Sequence, residues 1–168
     1  DDYAKLVEQY DGSGLYDEDS AHAFRPYVIK EVNGAKICII GQAFPRTGNA
    51  NPQEFFPDWS FGLREDDMIE LVQQIKTDEK PDAIVLLSHN GMDVDIKMAS
   101  RVPGLHAVFG GHTHDGIPKP IKVKNVDGHT CLVTNAGSNS KYIGVMDFDI
   151  QKGKLKGIEY KMLPIISD

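Results

Sequence analysis

The chain has 168 residues, a net charge of −7 at pH 7 and a sequence pI near 5.3. Its 40% hydrophobic and 26% charged residues are typical of a globular domain. The acidic balance, with no basic stripe, disfavours nucleic-acid binding. No apolar run approaches the roughly 20 residues that span a bilayer, so we expect no membrane contact. Cys38 and Cys131 each lie inside an apolar run, which predicts two buried small hydrophobic residues.

The first third of the chain predicts a loose segment, a hairpin and a long loop. Residues 1–24 are acidic and irregularly patterned, and we separate them from a domain at residues 25–168. PYVIKEVNGAKICIIG predicts a β-hairpin with Asn33-Gly34 at its tight turn. Residues 42–62 are rich in Pro, Gly, Asn and aromatics and predict an irregular loop, a type that is often functional at this length.

The rest of the chain alternates helices and strands before ending in strands alone. Residues 64–76 predict an amphipathic helix, and residues 93–101 a shorter one. DAIVLLSHNG and LHAVFGG predict buried strands, the first covered on both faces. Antiparallel strands follow near residues 120–125, 130–135, 142–150 and 155–163, with turns at Asp127-Gly128 and Lys152-Gly153. This order predicts an α/β (α+β) fold with a βαβ core, an antiparallel meander and helices flanking the sheets.

Two predicted strands end in loops that carry histidine. SHNG follows one strand and GGHTHD the next, at the carboxyl ends where ligands bind in open α/β sheets. In an extended segment His112 and His114 would point the same way, toward one centre or two neighbouring ones. Asp115 is positioned to orient an imidazole from behind. His89, His112 and His114 are therefore candidate metal ligands.

The other polar residues favour simpler interpretations. A lone H-x-H in a loop usually consists of two polar residues on the surface, and it is the combination with SHNG that favours metal ligands. His106 begins a strand and is expected to be structural, and His22 lies in the N-terminal segment. Asp127-Gly128-His129 spells a D-x-H pair, but a hairpin turn is the favoured interpretation. Ser88 and His89 would point to opposite faces of a strand, which disfavours a Ser–His dyad.

The order strand–SHNG–helix–VPGLHAVFGGHTHD resembles the calcineurin-like metallophosphoesterase superfamily, in its 5′-nucleotidase branch, from about Arg25 to the C-terminus. GQAFPRTGNANP, PDWSFGLRE, SHNGMDVDIKMASRVPG and GGHTHDGIPKP are together similar to the SoxB-type sulfate thiohydrolases. The resemblance implies a β-sandwich flanked by helices.

The resemblance also implies a cofactor and ligand roles. It implies two divalent metals, usually manganese, with zinc and iron as alternatives. His89 and His112 would bind one metal and His114 the other, with Asn90 close to the site. In the long loop, Arg46, Trp59 and Arg64 are candidates for contact with an anion or a carrier peptide, against an alternative of loop packing and surface charge.

The family's upstream D-x-H, G-D and G-N-H motifs do not occur before residue 89. We therefore expect the C-terminal half of a catalytic domain, with its catalytic residues upstream and the isolated chain inactive. The resemblance implies a periplasmic parent enzyme that releases sulfate from a cysteine S-thiosulfonate on a SoxYZ-type carrier protein. A 5′-nucleotidase-like phosphoesterase and a catalytically silent binding module are the alternatives.

Overall fold

The structure, a computed structural model, describes residues 25–57 and 59–166, so the acidic segment 1–24 lies outside the described residues. The described strands form two sheets. One has six strands, and the other is an antiparallel pair formed by the last two strands of the chain.

The predicted N-terminal hairpin is confirmed. Strands β1 (Tyr27–Val32) and β2 (Ala35–Gln42) pair antiparallel, with Val32 opposite Ala35. Asn33 and Gly34 have φ values of +51° and +80°, as a tight turn with two left-handed residues requires. The long loop that follows contains only a short helix, α1 (Thr47–Ala50), and a 3₁₀ turn at Gln53–Phe55.

The βαβ core is also confirmed. Helix α2 (Glu65–Asp78) leads into β3 (Ala83–Ser88), and α3 (Met92–Arg101) connects β3 to β4 (Ala107–Gly110). Strand β3 pairs parallel with both β2 and β4. Within the described part of the chain, no helix is both long and apolar enough to cross a membrane.

Strand β3 departs from the prediction at one residue. It is buried on both faces apart from Leu87, which is 56% exposed. Leu87 lies opposite Gly41 of β2, which has no side chain to cover it. The long apolar run therefore predicted the strand correctly but not the open position near its end.

The closing strands lie where the sequence predicts them but divide between two sheets. They are β5 (Ile121–Lys124), β6 (Thr130–Asn135), β7 (Tyr142–Gln151) and β8 (Lys154–Pro164). The continuous meander is not formed, because β6 is almost entirely buried between β5 and the parallel strand β4. Strands β7 and β8 pair only with each other among the described strands.

The core lies between α2, α3 and one face of the larger sheet. Its fully buried side chains come from alternate strand positions and from the inner faces of the helices, among them Ile40, Ile84, Leu86, Val108, Val72, Ile75 and Met98. Both cysteines are free and buried, as predicted. Burial raises the pKa of Cys38 to about 11 and that of Cys131 to about 12, so both remain thiols at neutral pH.

The turn between β5 and β6 closes the end of the core away from the histidine loops. The Asn125 amide donates to the carbonyls of Ala99 and Val102 at 2.7 Å each, at the end of α3. Asp127 accepts the backbone N–H groups of Gly104 at 2.8 Å and His129 at 3.0 Å. This confirms that Asp127 and His129 belong to a turn.

His106 has the structural role that its position predicts. Its Nδ1 accepts the N–H of Ile84 at 2.9 Å, which links the starts of β3 and β4. Burial lowers the pKa of His106, and the nearby His129 acts in the same direction. His106 is therefore a neutral acceptor at the opposite end of the strands from the SHNG and GGHTHD loops.

We expect Asn125→Ala to destabilise the fold by about 1–3 kcal/mol, because it leaves two buried helix-end carbonyls without their donor. Asn125 is only 3% exposed, so water cannot replace the amide without local opening. Urea unfolding would measure the loss in the free energy of unfolding. Asn49→Ala, the same substitution at an exposed position, is the control. Equal stability of the two variants would contradict this role.

We expect Asp127 to stabilise the fold in a pH-dependent way. Burial acts to raise its pKa, but hydrogen bonds from the N–H groups of His129 and Gly104 hold the pKa below its ordinary value. A depressed folded-state pKa gives stability that is present above about pH 5 and lost as the pH falls through the folded value. The stability gap between wild type and Asp127→Asn should therefore shrink below about pH 4.

Urea unfolding at a series of pH values would test this, with Asp66→Asn on the exposed face of α2 as the matched control. A gap that stays constant through the acid range would show that the carboxylate charge contributes nothing.

Candidate metal centre

Parallel pairing brings the two histidine loops to one edge of the sheet. Leu87 of β3 lies opposite Phe109 of β4, so Ser88 and Gly110 end their strands side by side. His89 follows the first strand end directly, and His112 follows the second after Gly111. Both imidazoles lie at the exposed carboxyl-end rim of the sheet. This is the location that the sequence predicts for a ligand site.

The structure brings His89 and His112 together. Their ring centroids are 5.2 Å apart, with the ring planes at 71°. Phe44, from the long loop, stacks on His112 at a centroid distance of 4.1 Å and meets His89 edge-on at 6.4 Å. An aromatic ring in contact with both imidazoles restricts their rotation. Phe44 was not singled out from the sequence, because nothing local connects it to residue 112.

Gly111 explains how the second loop comes so close to the first. A Cβ at this position would lie 3.0 Å from Nδ1 of His89 and 3.3 Å from the carbonyl oxygen of Ser88. Those separations are tighter than ordinary van der Waals contact, so a side chain would push His89 away. The glycine predicted to give backbone room therefore makes room for a histidine of the same site.

The segment from His112 to His114 is not extended. The expectation that these two histidines point the same way along a strand is therefore wrong. The N–H of Thr113 donates to the carbonyl of Gly111 at 2.8 Å, which makes His112 the centre of a γ-turn. The φ values of His112 and His114 are +69° and +59°. Left-handed backbone at non-glycine residues costs about 1–3 kcal/mol and is concentrated at functional sites.

His114 and Asp115 lie apart from the imidazole pair. His114 is exposed, and within the described residues it makes no ring contact with His89 or His112. Asp115 uses its backbone carbonyl to accept the N–H of Gly137 at 2.8 Å. Its carboxylate makes no hydrogen bond to an imidazole of the described residues, so the structure does not bring it to the predicted orienting position.

Asn90 is held beside the site by the end of β2. Its amide donates to Oε1 of Gln42 at 2.8 Å, and the Gln42 amide donates to the carbonyl of Leu63 at 2.7 Å. The N–H of His89 also donates to the backbone carbonyl of Gln42 at 3.0 Å. Gln42 therefore joins the His89 loop to both ends of the long loop. This role of Gln42 was not predicted from the sequence, although the parallel order of β2 and β3 is the signal for it.

The three loop candidates have different environments. The Arg64 guanidinium donates to Ser60 Oγ at 2.5 Å and to Asp67 at 3.4 Å, so it supports the start of α2. Trp59 packs against Phe56 and Phe61, with centroid distances of 5.6 and 6.2 Å. Arg46 is exposed beside α1. Loop packing therefore describes Trp59 and Arg64, while Arg46 is open to solvent.

The donor set fits a divalent metal in part. Two imidazoles on one ion, with bonds of about 2.1 Å and near-tetrahedral geometry, have ring centres about 5 Å apart, close to the spacing of His89 and His112. Among the described residues, Oδ1 of Asn90, the residue after His89, is buried without a hydrogen-bond partner. No group of three or more His, Cys, Asp and Glu side chains that could hold a metal is found in residues 25–57 and 59–166. The described residues thus bring together two imidazoles, fewer donors than a complete metal site needs.

No protein-family model matches the chain, but individual proteins do. It is 28% identical over 166 residues to protein UshA of Yersinia enterocolitica, covering 84% of this chain and 30% of that protein. Sulfate thiohydrolase SoxB of Thermus thermophilus matches with a TM-score of 0.76 and 30% identity, over 84% of this chain and 25% of that one.

The 5′-nucleotidase precursor of Thermus thermophilus matches with a TM-score of 0.72 and 27% identity, over 89% of this chain and 31% of that chain. The chain therefore spans about a third or less of the relatives that it matches. The resemblance to the 5′-nucleotidase branch of the calcineurin-like metallophosphoesterases, with SoxB among its neighbours, is confirmed in both sequence and fold over most of this chain.

Proposed function

We propose that this chain supplies His89, His112 and His114 as ligands to the two-metal centre of a hydrolase. The observation that carries the proposal is the facing pair of imidazoles at the ends of β3 and β4, with Phe44 stacked on one of them. The hydrolases among the relatives support the reaction class. In this proposal, residues 25–168 are the C-terminal half of the catalytic domain, and the remaining ligands come from other parts of a longer protein.

The chain's own residues prepare the site. His89 and His112 present neutral nitrogen donors, which suit manganese, iron and zinc, and we propose manganese. Phe44 and Gly111 fix how closely the two rings approach. Asn90, anchored by Gln42, places a buried amide oxygen beside His89. Two bound divalent metals would supply an activated water and a cationic clamp for a tetrahedral oxyanion.

The substrate that we propose is a cysteine S-thiosulfonate on a SoxYZ-type carrier protein, in the periplasm. The oxygen of a water bonds to the sulfonate sulfur, and the bond from that sulfur to the neighbouring sulfur breaks. Sulfate and protons are released, and the carrier cysteine is left as a persulfide. The 30% identity and TM-score of 0.76 to SoxB support this choice. Exposed Arg46, on the same loop as Phe44, is available to an anionic substrate.

A 5′-nucleotidase-like phosphoesterase is the second candidate. It is favoured by the curated relatives, which include UshA proteins and a 5′-nucleotidase of Vibrio cholerae at 24% identity. The histidine pair serves either reaction, because phosphate and sulfonate groups are both tetrahedral oxyanions. For the isolated chain we propose no catalytic activity, since a half-site cannot assemble a bridged metal pair.

The half-site is expected to bind Mn²⁺ in the isolated chain. Titration with Mn²⁺ while imidazole NMR signals are followed should broaden His89 and His112 first, with His114 next and His106 and His129 last. His112→Ala should weaken binding by at least about tenfold, since even outer-shell changes cost 10–100-fold. His129→Ala, at the other end of the sheet, is the control and should leave the affinity unchanged. Equal broadening of all these histidines would refute an organised half-site.

The two candidate substrates separate in an assay of the whole gene product. Purified with manganese, it should release sulfate from a thiosulfonated carrier cysteine faster than phosphate from 5′-AMP. His89→Ala should reduce either activity by about a hundredfold or more, at or beyond the upper limit for outer-shell changes. His129→Ala should not. Preference for 5′-AMP would replace the sulfate-releasing proposal with the nucleotidase, and no metal-dependent hydrolysis of either substrate would reject both.

A further inference from the structure

A fully buried carboxyl group lies directly beneath the two histidine loops. Asp95, in α3, has no exposed surface, and its Oδ1 accepts the Ser88 hydroxyl at 2.5 Å. The Ser88 hydroxyl oxygen in turn accepts the N–H of Asn90 at 3.1 Å. Ser88 and Asn90 are the residues on either side of His89. The backbone that carries His89 is therefore tied to α3 through this one carboxylate.

The other oxygen of Asp95 contacts the second histidine loop. A Cβ on Gly110 would lie 2.5 Å from Asp95 Oδ2 and 3.0 Å from the carbonyl oxygen of Thr134. The end of β4 thus lies directly against the carboxylate, in a space that only glycine fits. Gly111 then packs on His89, and His112 follows. One side chain is in contact with both strand ends that deliver the imidazoles.

Burial of this carboxyl is unfavourable for the fold by itself. Desolvation raises the pKa of Asp95, although the polar side chains of Ser88 and Asn90 act to lower it. Among the described residues Oδ2 has no hydrogen-bond partner, and a buried polar atom without a partner destabilises a core. An apolar residue would suit this position on a helix whose inner face otherwise buries Met98 and Ala99. The carboxylate therefore has a role other than packing.

We propose that Asp95 is the positioning residue of the candidate metal centre. It holds the Ser88–Asn90 backbone and the end of β4 in one fixed arrangement, so that His89 and His112 face each other. The proposal rests on the proposed function for the use of the two imidazoles, but its geometry stands without a metal. Among the described residues Asp95 makes no hydrogen bond to either ring, and it acts through Ser88 and Gly110.

Three variants test this positioning role. Asp95→Ala removes the acceptor of Ser88 and the support of Gly110. Asp95→Asn keeps the size and one acceptor oxygen but removes the charge. Asp93→Ala is the matched control, because it makes the same change at an exposed position in the first turn of the same helix.

Two readouts separate the effect of Asp95 on the position of the rings from its effect on metal binding. The first needs no metal: the NMR contact and ring-current shift that Phe44 imposes on the His112 ring. The second is the Mn²⁺ affinity of the chain. Asp95→Ala should lose the Phe44 contact and weaken Mn²⁺ binding by about tenfold, the scale of an outer-shell change. Asp95→Asn should keep the Phe44 contact and a Mn²⁺ affinity within about threefold of wild type. Asp93→Ala should change neither.

An Asp95→Ala variant that folds, with its His106 signals in place, yet keeps both the ring contact and the affinity would overturn the proposal. If Asp95→Ala does not fold, Ser88→Ala is the second variant. It removes the hydroxyl that Asp95 holds, and an unchanged Phe44–His112 contact would overturn the proposal equally. If wild type binds no Mn²⁺ while Asp95→Ala still loses the ring contact, the proposed function fails and the positioning role stands.

Discussion

The parallel pairing of β3 and β4 is the constraint on which the candidate site depends. With Leu87 opposite Phe109, no strand separates the two histidine loops, and both must leave the sheet at the same edge. The ten-residue helix α3 makes the crossover and covers one face of the sheet. The connection that forces the strands parallel also places Asp95 beneath the loops.

Close approach is achieved by removing side chains rather than by adding attractive contacts. Gly110 lets β4 lie against the Asp95 carboxylate, and Gly111 lets the same loop lie against His89. The next residue, His112, then has a φ of +69°, which is unfavourable for a residue with a Cβ. The loop thus combines two residues that leave space with one that is strained. That combination favours a site of fixed geometry over a simple surface turn.

The elements of this fold could be predicted from the sequence because their signals are local. The Asn33-Gly34 turn and the apolar periodicity of α2 are fixed by neighbours within a few residues. The division of the closing strands was not predicted, since β6 pairs directly with β4 while β5, which precedes β6 in the chain, lies outside it at the sheet edge. Periodicity shows that a strand forms but not which strand it pairs with.

The site shows the same limit. His89 and His112 could be predicted as partners because each directly follows a predicted strand. Phe44, Gln42 and Asp95 could not, because their contacts depend on tertiary packing; the Asn90–Gln42 hydrogen bond joins residues 48 apart in sequence. The prediction that His112 and His114 point the same way assumed an extended segment, and the γ-turn at His112 removes that assumption. Local patterns therefore identified the ligand candidates, while the residues that orient them came only from the fold.

The choice between the two proposed substrates cannot depend on the imidazole pair. Phosphate and sulfonate groups present similar tetrahedral oxygens. Metals held by the same imidazoles would therefore bind the two groups alike. The two substrates differ in what is attached, a nucleoside in one and a carrier cysteine in the other. Discrimination must therefore come from surfaces near the rim, and the long loop is the one that the described chain contributes. Phe44 connects that loop to His112 by ring stacking, so the loop that would meet either proposed substrate also contacts a candidate metal ligand.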